Sequence, residues 1–215
     1  MATRTSIDGR LWLVAGIALA FAFWMISGGK LDAILQSAIK GGSVAALAGY
    51  ALSSSRAPDA RLIAAVMAAG AAGDVGIEFS TQLGGGLFLL SHLVAITLYL
   101  RNRRAAPVAT QKAAAIALLV GVPLAAWVLA RDPMAVIYAV ALGSMAAAAW
   151  LSRFSRYHVG IGALLFVVSD LLIFARLGGR IDQSLSSWFV WPLYYAGQFL
   201  ICTGVIRAVR GDHRA

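Results

Sequence analysis

The run Gly162–Phe174, GALLFVVSDLLIF, is apolar enough to sit in hydrocarbon and yet carries Asp170 in its middle. A second carboxylate, Asp74, closes the small-residue run AAVMAAGAAGD. An ionised carboxylate in lipid costs several kcal/mol unless a neighbour compensates it, so such residues mark proton relays, ion paths or acid–base chemistry. Two carboxyl groups in one low-dielectric site hold different protonation states, one an acid and the other a base. In form that is a hydrolytic pair. The other polar residues set in apolar sequence are Lys40, His92, Tyr194, Tyr195 and Gln198; Ser169 directly precedes Asp170, and Glu78 follows Asp74 by four residues on the same helical face.

These residues must be carried by elements that cross a membrane. The chain has 215 residues, of which 60% are hydrophobic and 13% charged, roughly half the charged fraction of a soluble domain. Apolar windows of about 18 to 20 residues, each enough to cross hydrocarbon, recur from Leu11 to Ile206. The reading is an all-α, polytopic membrane helix bundle. It forms a single transmembrane domain of eight transmembrane helices: 11–27, 31–52, 61–78, 83–100, 112–130, 134–151, 158–175 and 186–206. The first run lacks an A-x-A-like cleavage site and is read as a retained helix. Pro123 and Pro192 fall inside spans, and Trp188 with Trp191 reads as an interfacial belt. The lone Cys202 excludes an intrachain disulfide.

A net charge of +9 raises the question of nucleic acid. No basic tract is interleaved with aromatic residues, so the arginines read as topology determinants facing anionic membrane lipids, with no nucleic-acid partner. Arg4, Arg10, Arg56, Arg61, Arg101, Arg103, Arg104, Lys112, Arg153, Arg156, Arg207, Arg210 and Arg214 fall on one side. Only Lys30, Arg131, Arg176 and Arg180 fall on the other. That asymmetry places both termini in the cytoplasm, as in a bacterial inner-membrane protein. At 1.5 Å per residue, Asp74 and Asp170 lie about 6 to 9 Å below the outer ends of their spans, and Lys40, His92 and Tyr195 roughly 14 Å from theirs. Gln198 is one turn deeper. Spans of opposite direction thus bring their polar residues to a similar level in the outer half of the membrane.

Each residue also has a plainer reading. Either aspartate could be a structural lock on a lysine, Lys40 a snorkelling or counter-ion side chain, and Glu78 a solvated helix end. His92 could be a satisfied packing residue, and Tyr194, Tyr195 and Gln198 interhelical hydrogen-bonding groups. With three histidines in the chain and only His92 deep, three-histidine zinc ligation is not available; no metal and no organic cofactor is expected. The sequence GGSVA around Ser43 is not a nucleophile elbow. An intramembrane aspartyl protease is disfavoured by the lack of a P-A-L motif. A proton-coupled transporter of small solutes or lipids remains the alternative, but a transporter needs polar groups reaching both faces, and the inner halves of the spans are nearly bare. The segments DVGI…LGG from Asp74 and DLLIFARLGG from Asp170, four spans apart, echo each other weakly.

At these residues the sequence resembles the YhhN family of membrane proteins, whose characterised eukaryotic members are lysoplasmalogenases. The matching pieces are AAGDVGIEF, GGGLFLLSHLVAITLYL, VGIGALLFVVSDLLIF and LYYAGQFLICTGV. They cover spans three, four, seven and eight in the family's order, and Lys40 falls where the family has its second-span lysine. One departure is the KGG at Lys40–Gly42, where the family usually has Lys-Pro. The resemblance implies eight spans and hydrolysis of the vinyl-ether bond of a lysoplasmalogen, a lysophospholipid substrate, to a fatty aldehyde and a glycerophospho-headgroup. It implies that Asp74 and Asp170 are the catalytic pair, without saying which is the acid. Lys40 is expected to hold the phosphate, with His92, Tyr194, Tyr195, Gln198, Ser169 and Glu78 about the substrate.

Overall fold

The computed structural model describes residues 4–27 and 32–212. Lys30 and Leu31, with His213 and Arg214 of the tail, lie outside the described residues. Eight α-helices account for nearly all of the rest: α1 (Arg4–Ile26), α2 (Ala33–Ser54), α3 (Pro58–Phe79), α4 (Thr81–Arg101), α5 (Ala109–Ala130), α6 (Pro133–Leu151), α7 (Ile161–Leu177) and α8 (Gln183–Asp212). A π-helical turn at Arg156–Gly160 leads into α7.

Local chemistry explains where the helices begin and end. Asp32 caps α2 by accepting from the backbone N–H groups of Ile34 and Leu35 at 2.9 and 3.2 Å, and Asp132 caps α6 by accepting from Met134 N–H at 2.9 Å. Pro58 and Pro133 occupy first-turn positions, where the missing N–H costs nothing. Ser80 alone separates α3 from α4, its hydroxyl accepting from Leu83 N–H at 3.0 Å. The α7–α8 connection turns through Gly179 at φ 66°, a conformation that favours glycine. Pro123 and Pro192 lie inside α5 and α8, which continue through them.

Among the described residues, seven helices are long and apolar enough to cross a membrane. The eighth, α2, has the length, 22 residues, but Gln36, Lys40 and its several serines and glycines lower its apolar content. Large apolar side chains point outward in quantity, among them Leu11, Val14 and Phe21 of α1 and Ile116, Leu124 and Val128 of α5. Such a surface suits lipid rather than water. The chain is an all-helical integral membrane protein.

The helices form two compact units, one of residues up to Ala95 with the chain from Cys202 onward, the other Ile96–Ile201. In the first unit small residues set the spacing. A Cβ on Gly49 would meet the Trp12 ring at 2.7 Å, and one on Gly41 would meet Val75 at 2.6 Å, so α1, α2 and α3 approach closely at these points. Ser91 of α4 donates to the Val66 carbonyl of α3 at 2.9 Å, and Cys202 Sγ donates to the Leu47 carbonyl at 3.4 Å. In the second unit a Cβ on Gly143 of α6 would meet the Leu118 carbonyl of α5 at 2.8 Å, beside Pro123. Gly178, just beyond α7, presses on the Leu129 carbonyl of α5, so α5 and α7 end together. Gly162 of α7 and Gly197 of α8 face each other, each Cβ position 2.8 Å from the other's carbonyl. Trp188 is exposed, as a belt residue would be, whereas Trp191 is not part of a belt: it is 5% exposed and stacks on Tyr195, with ring centroids 5.9 Å apart.

The α7–α8 contact has no room for a side chain. Gly162→Leu is expected to destabilise the purified protein by about 1–3 kcal/mol, read as a lower melting temperature in detergent. Gly121→Ala, where a Cβ meets nothing within 4 Å, serves as control and is expected to leave it unchanged.

Candidate active site

The first unit places Lys40 of α2 opposite Asp74 of α3. Their Nζ and Oδ1 atoms are 3.2 Å apart, and the side chains are 17% and 2% exposed. Close helix packing makes the reach possible, because Gly41 lets α2 touch Val75 and the Ala71 carbonyl of α3. The Phe23 ring of α1 lies 5.9 Å from the ammonium, within cation–π range. On the other flank of Asp74, a Cβ on Gly73 would meet the Phe88 ring of α4 at 3.0 Å, so only glycine fits comfortably there. His92 sits one turn further along α4 and is buried. Glu78, one turn beyond Asp74, is exposed at the end of α3.

In the second unit the buried Asp170 of α7 accepts a hydrogen bond from the Tyr138 hydroxyl of α6, 2.9 Å from Oδ2. The Phe174 ring, one turn after Asp170, meets the Tyr138 ring edge-on with centroids 6.1 Å apart. Ser169 turns to α8 and donates to the Val190 carbonyl at 3.1 Å. On α8 the Gln198 amide donates to the Tyr194 hydroxyl at 3.3 Å, and Tyr194 lies edge-on to Phe166, with centroids 5.1 Å apart. Tyr195 is buried beneath Trp191.

The structure therefore brings together Lys40 with Asp74, and Tyr194 with Gln198. Ser169 acts between helices, and Glu78 stands apart at a helix end. Asp74 belongs to the first unit and Asp170 to the second. Tyr138 is the partner that the sequence reading passed over, because VIYAVAL scans as an apolar run. Its depth was the available signal: five residues into α6, about 7 Å from that end, it matches the level of Asp170. Among the described residues no three His, Cys, Asp or Glu side chains gather in a way that could hold a metal ion.

Helices of spanning length that bury a lysine-paired carboxylate in one unit and a tyrosine-bonded carboxylate in the other define a membrane protein with polar groups buried among its spans. The chain belongs to the YhhN family, which matches residues 35–205. Proteins named lysoplasmalogenase from Mycobacterium bovis and Mycobacterium tuberculosis are each 31% identical over 218 aligned positions, covering 90% of this chain and 82% of theirs. No solved structure matches the chain.

If the ion pair compensates the buried charge, removing one member should be worse than removing both. Lys40→Met is expected to destabilise the protein by about 3–5 kcal/mol. The double variant Lys40→Met with Asp74→Asn should recover most of that loss. Thermal denaturation of the wild type, Lys40→Met, Asp74→Asn and the double variant in one detergent measures the coupling.

Proposed function

We propose that this chain hydrolyses the vinyl-ether bond of a lysoplasmalogen, releasing a fatty aldehyde and a glycerophospho-headgroup. The observation that carries the reading is that both intramembrane carboxylates are buried and each is held by a side chain from the preceding helix. The lysoplasmalogenase relatives support the same substrate class.

Vinyl ethers resist base and yield to acid. Protonating the β-carbon turns the enol ether into an oxocarbenium ion; water adds to the cationic carbon, loses a proton, and the hemiacetal collapses to aldehyde and alcohol. The slow step needs one proton donor and one fixed negative charge. Asp170 is assigned the donor. Tyr138 donates to Oδ2, which leaves the other carboxyl oxygen to carry the transferable proton. Asp74, its charge compensated by Lys40, is assigned the ionised partner that stabilises the cation and takes the proton from water. An ammonium has three donors, so Lys40 can hold Asp74 and a phosphate oxygen together. His92, Tyr194, Tyr195 and Gln198 are assigned to water and headgroup, with Ser169 and Glu78 at the margins of the substrate.

The same reading takes α2 as an eighth span of a single transmembrane domain, with both termini in the cytoplasm of a bacterial inner membrane. Cys202 is buried, so introduced thiols can report on topology. A cysteine replacing Asp182 should react with a membrane-impermeant maleimide in intact spheroplasts, and one replacing Arg56 only after lysis.

Purified enzyme given a 1-alkenyl lysophospholipid should release aldehyde, and Asp74→Asn and Asp170→Asn should each lower kcat/KM at least about a hundredfold. Tyr138→Phe should lower kcat more than it raises KM. Full activity in both asparagine variants would remove the carboxylates from the chemistry, and no aldehyde from any alkenyl lipid would return the transporter reading to the front.

A further inference from the structure

Lys40 is an amine as well as a charge, and an amine that can give up its proton to a neighbouring base is a nucleophile toward carbonyl groups. Its Nζ lies 3.2 Å from Asp74 Oδ1, so the base is already in contact. The two side chains differ in access. Asp74 is 2% exposed, whereas Lys40 is 17% exposed, which leaves the nitrogen open to a ligand on a side that the carboxylate does not cover. The Phe23 ring, 5.9 Å from Nζ, adds an apolar neighbour.

An aldehyde is the electrophile that suits this pair, because its condensation with a lysine needs one group to take a proton and then return it. Asp74 takes a proton from the ammonium and frees the nitrogen lone pair. The amine adds to the carbonyl carbon, a C–N bond forms, and a nitrogen proton passes to the oxygen to give a carbinolamine. Asp74 then returns its proton to that hydroxyl, the C–O bond breaks, water leaves, and the nitrogen lone pair closes the C=N bond. The product is a protonated imine beside an ionised Asp74. One positive and one negative charge stand in contact before and after, so no uncompensated charge is left buried among the helices.

We propose that Lys40 captures long-chain aldehydes as an imine, with Asp74 relaying the protons and serving as counter-ion. The source of the aldehyde rests on the hydrolysis proposed above, of which it is the product; the capture itself does not. An imine on Nζ occupies the nitrogen assigned to the substrate phosphate, so accumulated product limits further turnover.

The test is reductive trapping. Full-length purified protein is incubated with hexadecanal or with water-soluble propanal, fixed with sodium cyanoborohydride, and mapped by peptide mass spectrometry. Lys112, exposed in the first turn of α5, is the internal comparison. Both aldehydes are expected to label Lys40 ahead of Lys112. Propanal excludes a preference that comes only from dissolving in the detergent micelle. Asp74→Asn is expected to slow fixation at Lys40 about a hundredfold, because the carbinolamine loses its hydroxyl only with a proton. An unchanged rate in that variant would overturn the proposal. Should Asp74→Asn fail to fold, the wild type decides: propanal labelling Lys112 first, or both lysines alike, overturns it too. A last arm replaces the aldehyde with a 1-alkenyl lysophospholipid. Label on Lys40 from this lipid supports capture and hydrolysis together. Label from added aldehyde but none from the lipid leaves capture standing and counts against hydrolysis. Aldehyde released into solution while Lys40 stays unmodified in every arm overturns capture alone.

Discussion

An ionised carboxylate among hydrocarbon must be compensated, and much of the first unit is arranged around that need. Asp74 is almost wholly buried, and the ammonium of Lys40 stands 3.2 Å away. Neither residue could be there alone, because the uncompensated charge would cost more than the surrounding helix packing readily supplies. The need reaches into residues with no charge at all. Gly41 has no side chain because α2 must come within touch of α3 beside Lys40, and Gly73 has none because Phe88 of α4 closes the next face. Small residues in a membrane helix usually signify close approach in general. Here they fix where a charge can meet its partner.

The second unit meets the same need with different chemistry. Asp170, like Asp74, sits on the helix that follows an aspartate-capped one, and takes its partner from that preceding helix. The partner is a neutral phenol rather than an ammonium. A hydroxyl can donate to a carboxylate or to a carboxylic acid's carbonyl oxygen with equal ease, so it accommodates a change in protonation that an ion pair resists. One carboxylate is thus tied to a fixed charge and the other to a neutral donor. The weak echo between the segments at Asp74 and Asp170 runs alongside this parallel in helix order.

Most of the helical scaffold was legible because hydropathy, length and capping act locally. The helix ends fall within two turns of the apolar runs, with Asp32, Pro58, Asp132 and Pro133 marking starts by mechanisms that need no tertiary context. Asp74, Asp170 and Lys40 stood out because charged residues in apolar sequence are rare. Tyr138 did not, since a tyrosine reads as apolar by composition and shows its hydroxyl only when a partner is placed beside it. Trp191 was misread for the related reason that an aromatic near a helix start suits an interface or a packed core equally, and packing on Tyr195 decides. The isolated antiparallel bridge between Arg103 and Ser152 was not legible at all, because it pairs two loops some fifty residues apart and no local pattern announces it.

Under the proposed chemistry the Lys40–Asp74 pair also gives the site a direction. Taken as a unit it is neutral, so it attracts a developing cation only if that cation lies nearer the carboxylate than the ammonium. Coulomb energy falls with distance, and in a dry site the difference between the near and far charge is not screened away. A lysophospholipid carries an anion and, in the slow step, a nascent cation a few bonds apart. The ammonium favours the first and the carboxylate the second. The phosphate is therefore drawn to the Lys40 side, and the ether oxygen to the side of Asp74 facing away from α2. The reversed orientation would set phosphate against carboxylate and oxocarbenium against ammonium, two repulsions in place of two attractions. A pair that serves first to make a buried charge tolerable thus also discriminates between the two ways in which a bipolar substrate could lie.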